Sequence, residues 1–396
     1  MHKYTCFIRT IISCFCIVCC FLESFSQQPL RVGAECTEDY IPYIQEKRVA
    51  VVANQTSVVQ GVHLVDTLMR LNVPVKKIFC PEHGFRGNAD AGEHLQNSID
   101  NISGLPIISL YGTHKKPYAR DLENIDIIVF DIQDVGARFY TYISTMHYIM
   151  EACAELSIEC MILDRPNPHG FYIDGPILEP SYTSFVGMHP VPVVHGMTIG
   201  EYARMINGER WLKNGIQCDL TVVLCDGYDH SMRYQLPIPP SPNLPNMQAV
   251  YLYPSLCFFE GTVFSCGRGT DFPFQLVGAP EYSDTSFSFM PRSIQGASKN
   301  PPHKNKVCYG IDLRTYAIDS LAEKGLLLDI LVQAYEKYPH KTAFFIPFFT
   351  TLAGTKSLQN ALIAQTSVSE IKQSWQHDLQ KFSAIRKKYL LYPDFK

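Results

Sequence analysis

Five short apolar runs, each closed by polar residues, constrain this chain more than any other feature. They are "RVAVVAN" (48–54), "VKKIFCPEHG" (75–84), "LPIISLYG" (105–112), "IDIIVFDIQD" (125–134) and "ECMILDRPNP" (159–168). Runs of this length without polar alternation predict strands buried on both faces, as in a parallel sheet covered by helices. Helical spacing appears between them. "GVHLVDTLMRLN" occupies 61–72, and "STMHYIMEACAELS" (144–157) sets Met146, Ile149, Met150 and Cys153 on one stripe. Strands alternating with helices predict βαβ units. The expected fold is α/β: a Rossmann-like doubly wound parallel-sheet domain over 27–185, then a smaller α+β auxiliary domain over 186–396.

The second half reads differently. Thr198 and Glu201 stand three apart at the start of a helix, a capping-box pattern. "QCDLTVVLCDGY" (217–228) alternates as a strand. Residues 236–280 are rich in Pro, Gly and aromatics with little periodicity, the mark of a functional irregular segment rather than disorder. Helical patterns return at 320–338 and 368–392.

Hydrophobic residues make up 46% of the 396 and charged residues 18%, which supports a sizeable core. The net charge of −4 with no basic block argues against nucleic acid as a partner. Residues 1–26 are expected to be a secretory signal peptide: a basic start, a 12-residue apolar stretch at 11–22, and Ser24 and Ser26 before a cut at Gln27. A membrane anchor is the alternative, but a span asks for about 20 apolar residues. The mature chain is therefore expected to be secreted or periplasmic, with no stable membrane span. Nine cysteines remain after the signal, with no CxxC pair. No zinc knuckle is expected. Cys80 and Cys160 read as small core residues, and one or two disulfides are allowed.

In open α/β sheets, ligands bind outside the carboxyl ends of the strands. Those ends carry Asn54, Glu82, His83, Tyr111, Asp131, Asp134, Asp164 and Arg165. The turn "ANQTSVVQG" lacks the G-x-G-x-x-G that admits a pyrophosphate, and no Walker A sequence occurs, so neither nucleotide nor other cofactor is expected.

Each candidate has a second reading. Glu82 is a general acid with its pKa raised by burial, or the partner of Arg86. Asp131 positions a base or a metal, or caps the following turn. Gln133 and Tyr140 share its motif, "FDIQDVGARFYTY". Arg138 grips a carboxylate, or pairs with Asp134. "LDRPNP" supplies Asp164, Arg165 and Asn167, and "VHGMT" supplies His195. In "FEGTVFSCGRGTDFPF" (259–274), Glu260 precedes a glycine, Arg268 lies between two, and Phe272 and Phe274 read as walls. Glu82-His83 and Glu93-His94 suggest a metal, but without helical ligand spacing, so none is expected.

"VVANQTS", "PEHGFRG", "SLYG", "FDIQDVGARFYTY", "LDRPNP", "VHGMTIGE", "YPSLCFFEGT", "GRGTDFPFQLVGAP" and "RKKYLLY" fall in the order found in the NamZ-like exo-β-N-acetylmuramidases, and the chain resembles that family over roughly 30–396. The resemblance implies a glycosidase that releases terminal β-linked N-acetylmuramic acid from the non-reducing end of peptidoglycan fragments. It implies a cleft between a Rossmann-like domain and an auxiliary one, and it marks Glu82 as a catalytic carboxylate. Glycoside cleavage uses a proton donor and usually a second carboxylate. Glu260, Asp131 and Asp164 are the candidates for the second, and Arg86, Arg138 and Arg268 for reading the lactyl carboxylate of muramic acid. A metal-dependent hydrolase and a non-catalytic sugar-binding protein are the competing classes.

Overall fold

The computed structural model describes residues 30–82, 84–86 and 98–395. The expected signal peptide, His83 and the Glu93-His94 pair lie outside the described residues.

Helix α1 (Thr37–Ile44) leads into β1 (Val49–Ala53). All five residues of β1 are buried, and they serve two cores in alternation. Ala50 and Val52 join one apolar cluster, while Val49, Val51 and Ala53 join the other. This is the two-residue period of a strand with both faces covered. A small hairpin, β2 (Val58–Val59) with β3 (Val62–His63), precedes α2 (Leu64–Arg70). It interrupts the expected helix at 61–72, because Gln60 and Gly61 turn with φ of 47° and 82°. Then come β4 (Val75–Cys80), β5 (Ser98–Ile99), β6 (Pro106–Ser109), β7 (Ile127–Asp131), α3 (Tyr142–Leu156) and β8 (Glu159–Leu163). The crossover ends with α4 (Ile199–Gly208) and β9 (Leu220–Val223).

These strands form one sheet in the order β5-β6-β4-β1-β7-β8-β9, parallel throughout except for β5. The sheet continues past the expected boundary at residue 185, because β9 pairs with β8 in parallel register, Cys160 facing Leu220. The capping box of α4 forms as expected: Thr198 accepts from the Glu201 amide at 3.2 Å, and Glu201 from the Thr198 amide at 2.9 Å.

The second half begins with α5 (Met247–Leu256) and builds a three-stranded antiparallel sheet, β10 (Leu276–Ala279), β11 (Ser288–Phe289) and β12 (Cys308–Asp312), in the order β10-β12-β11. Helices α6 (Leu321–Lys324), α7 (Leu328–Lys337), α8 (Phe348–Ala353), α9 (Ser357–Ile363), α10 (Val368–Ser374) and α11 (Gln376–Arg386) follow. Two expected helices are each broken in two, and Asp174 stands at both breaks. A Cβ on Gly325 would lie 2.1 Å from Asp174 Oδ2, and the Trp375 indole donates to Asp174 Oδ1 at 3.0 Å.

One apolar cluster runs from β1 and β7 through α3, α4 and α5 to the last helices, so the two halves share a core. All nine described cysteines are buried and free, so the allowed disulfides are absent among the described residues. No helix among those residues is long and apolar enough to cross a membrane.

Candidate active site

The strand order reverses between β1 and β7, the position where such a sheet opens a crevice. Here the crevice floor is stitched shut. Asn54 Oδ1 accepts from the Thr56 amide and hydroxyl at 2.9 and 2.6 Å. Thr56 Oγ1 in turn accepts from the Gln133 amide at 3.0 Å, and the Ser57 hydroxyl donates to the Asp131 carbonyl. Asn54 is therefore a structural turn residue.

Most of the polar strand-end residues belong to this floor. Asp131 has no exposed surface and takes both arms of the Arg165 guanidinium, at 2.5 and 2.9 Å. That answers where both residues are used: against each other. Asp164 is equally buried and accepts from Thr198 Oγ1 (2.7 Å), the Tyr392 hydroxyl (2.7 Å), the Gly200 amide (2.8 Å) and the Arg165 amide (2.9 Å). Burial raises its carboxyl to about 6. It anchors α4 and the C-terminal tail to β8, and neither it nor Asp131 lines the cleft described below.

Gln133 donates to the carbonyls of Asp134 and Pro166, and Asn167 to that of Met197. His195 is buried, and its Nδ1 accepts from the Met197 amide at 3.3 Å. Burial, with help from Arg386, pushes it down to about 3, so it is neutral. Arg138 neither grips a substrate nor pairs with Asp134. It is fully buried and donates to four carbonyls, of Pro176, Val191, Leu352 and Ala353, at 2.7–3.0 Å. Arg86 is taken by Asp100, at 2.9 and 2.8 Å, not by Glu82.

Four of the expected residues do converge. Glu82, just past the end of β4, lines a cleft of about 150 Å³ with Tyr140, Glu260 and Arg268. Tyr111, past β6, reaches Glu82 as a hydrogen-bond partner; burial first, then the Glu82 carboxylate, pushes its phenol up to about 12. Glu82 thus enters the cleft from the sheet half, held by a rigid strand end, with a phenol beside it.

Glu260 and Arg268 come from the second half. Arg268 Nε lies 2.5 Å from Glu260 Oε1, and the guanidinium sits 5.0 Å from the centre of the Phe274 ring. Burial works against the Arg268 charge, and Glu260 more than offsets it, so the cation is held. The local backbone is built for this pair. Gly267 and Gly269 have φ of 81° and 79°, and a Cβ on Gly267 would meet the Phe272 carbonyl at 2.7 Å. Phe274 itself is left-handed, φ 54°, at a cost of roughly 1–2 kcal/mol for a side-chain-bearing residue. Phe274 is a wall, as expected; Phe272 is exposed and carries Arg314 over its ring instead.

Tyr142, from the same motif as Tyr140, also lines the cleft, as do Ser241, Asn243 and Tyr253, which the sequence did not single out as site residues. Tyr140 and Tyr142 both donate to the Pro240 carbonyl, at 3.0 and 3.2 Å. They dock the proline-rich loop 236–245 over the cleft. Its irregularity was the one available signal, and it does not resolve to single residues.

The chain matches the models of both parts of one family: "Exo-beta-N-acetylmuramidase NamZ, N-terminal" over 49–248 and "Exo-beta-N-acetylmuramidase NamZ, C-terminal" over 251–392. A curated relative, the peptidoglycan beta-N-acetylmuramidase NamZ of Bacillus subtilis (strain 168), is 40% identical, the match covering 89% of each chain. Two solved structures of DUF1343 family proteins from Bacteroides fragilis NCTC 9343 share the fold. One has a TM-score of 0.87 at 48% identity and the other 0.80 at 29%, each covering 92% of this chain and 99% of its own. By sequence along both halves and by fold, this chain belongs to the NamZ exo-β-N-acetylmuramidase family.

Proposed function

We infer that this protein is an exo-acting glycosidase that removes terminal β-linked N-acetylmuramic acid from the non-reducing end of peptidoglycan fragments. Family membership supports the activity. The observation that carries the chemistry is the pairing of Glu82 on one side of a cleft with Glu260 and Arg268 on the other.

Glu82 is the general acid. It delivers its proton to the glycosidic oxygen as the bond to the anomeric carbon breaks, and Tyr111 fixes the carboxyl rotamer. Glu260 is the second carboxylate. Its ion pair with Arg268 holds it at the cleft wall, where it stabilises the positive charge that grows on the sugar ring and either attacks that carbon or activates water. Tyr140, Tyr142, Tyr253 and Phe274 form aromatic walls suited to the apolar faces of a pyranose. Arg268 also has N–H groups beyond the Nε that serves Glu260, suited to the lactyl carboxylate of muramic acid.

The leading segment, read as a signal peptide, supports action outside the cytoplasm, where peptidoglycan lies. The test is a pair of chromogenic β-glycosides, one of N-acetylmuramic acid and one of N-acetylglucosamine. Fast release from the first and little from the second is expected. Binding without turnover of either would overturn the reading.

A further inference from the structure

Away from the cleft, three cysteines meet. The Sγ atoms of Cys153, Cys160 and Cys218 all lie within 4.8 Å of one another, and all three residues are buried. They come from three elements: the last turn of α3, the second residue of β8, and the approach to β9. Among the described residues this is the one group of His, Cys, Asp or Glu side chains with the geometry to hold a metal ion.

The local structure holds the trio in place. Ser157 adopts a left-handed conformation, φ 54°, and the Ile158 amide donates to the Cys153 carbonyl at 2.9 Å. That turn folds Cys160 back beside Cys153. The Cys160 amide donates to the Asp219 carbonyl at 2.8 Å, which fixes the residue after Cys218. Asn207 then clamps the Cys218 backbone from both sides, accepting from its amide at 2.7 Å and donating to its carbonyl at 2.9 Å. Cys218 keeps a little exposed surface, 5%, so the trio is reachable from solvent at one corner.

We propose that Cys153, Cys160 and Cys218 form a three-thiolate site for a soft, thiophilic d10 cation. A metal–sulfur bond is about 2.3 Å, which puts the sulfurs of a three-coordinate site about 4 Å apart. The three sulfurs, all within 4.8 Å of one another, already lie close to that spacing. Thiolates select soft cations over calcium or magnesium. A divalent ion binds as M2+ + 3 RSH → [M(SR)3]− + 3 H+. Cys160 and Cys218 lie at the amino ends of β8 and β9, whereas the cleft uses carboxyl ends. The bound ion therefore straps α3 to the sheet edge without touching the glycosidase chemistry.

The probe is Cd2+, titrated into the reduced full-length protein. One equivalent should bind tightly, with a thiolate-to-metal charge-transfer band and release of protons. Cys218→Ser should remove the band and leave muramidase activity as in the parent. Cys308→Ser, a buried cysteine elsewhere, should change neither. Failure of the parent protein to take up one equivalent overturns the site, whether or not the variants fold. So does a band that survives both Cys153→Ala and Cys218→Ser.

Discussion

Glu260 and Arg268, 2.5 Å apart, stand between two cavities. On one side is the cleft that also holds Glu82; on the other is a hollow of about 640 Å³ lined by Val263, Asn300, His303 and Phe348. The pair is thus a partition, charged on both faces.

Arg268→Ala removes the cation and leaves Glu260 unpaired. Losing a charge-assisted hydrogen bond of 1.5–3 kcal/mol corresponds to about a 10- to 100-fold fall in kcat/KM for the muramic acid glycoside. Because the lactyl carboxylate is what distinguishes the two sugars, the residual glucosamine activity should fall much less. Equal losses on both substrates would remove Arg268 from sugar recognition.

Asp131 and Arg165 form a bidentate pair with both partners inside the protein. Removing one charge strands the other, which costs about 3–5 kcal/mol. Asp131→Ala should therefore unfold at much lower urea than the parent. A small stability change accompanied by lost turnover would instead mean that Asp131 acts on substrate.

Arg138 ties residues 176 and 191 to 352 and 353 through four carbonyls. Arg138→Met fills similar space but leaves those acceptors unpaired. A loss of several kcal/mol is expected, at about 1–3 kcal/mol per unsatisfied buried group. Unfolding with the parent's midpoint would contradict this.

Burial raises Asp134 from 3.8 to about 7, and its Oδ1 has no hydrogen-bond partner among the described residues. The folded state therefore keeps a proton that the unfolded chain releases above about pH 4. Stability from this group is full below that pH and is lost as pH rises through about 7. Asp134→Asn keeps an acceptor for the Gly136 amide, now 2.7 Å away, and cannot ionise. Urea unfolding should show the variant losing less stability than the parent between about pH 5 and pH 8. Part of the slope will remain, since Asp164 is also raised. Parallel curves would contradict the assignment.

The parallel sheet was legible because β1, β7 and all but the first residue of β8 are apolar runs buried on both faces, which few other arrangements bury. β9 was harder to place, since a strand half exposed at the sheet edge alternates like one from any sheet. The site was legible in type and less so in membership. Glu82, Tyr140, Glu260 and Arg268 share the cleft, whereas Asp131, Asp164, Arg138 and Asn167 serve the scaffold. A buried strand end needs polar groups to satisfy its own turns, and sequence alone gives those groups the same appearance as reactive ones. Ser241 and Asn243 were out of reach for a different reason: their position depends on how Tyr140 and Tyr142 hold Pro240.

The most direct measurement of the central claim is the rate of Glu82→Gln on a β-linked N-acetylmuramic acid–N-acetylglucosamine disaccharide. Its leaving sugar is a poor one and needs the proton. The account predicts a loss of at least about 100-fold with the thermal midpoint kept, and a smaller loss on a nitrophenyl glycoside, whose leaving group needs less help. Unchanged turnover of the disaccharide would contradict it.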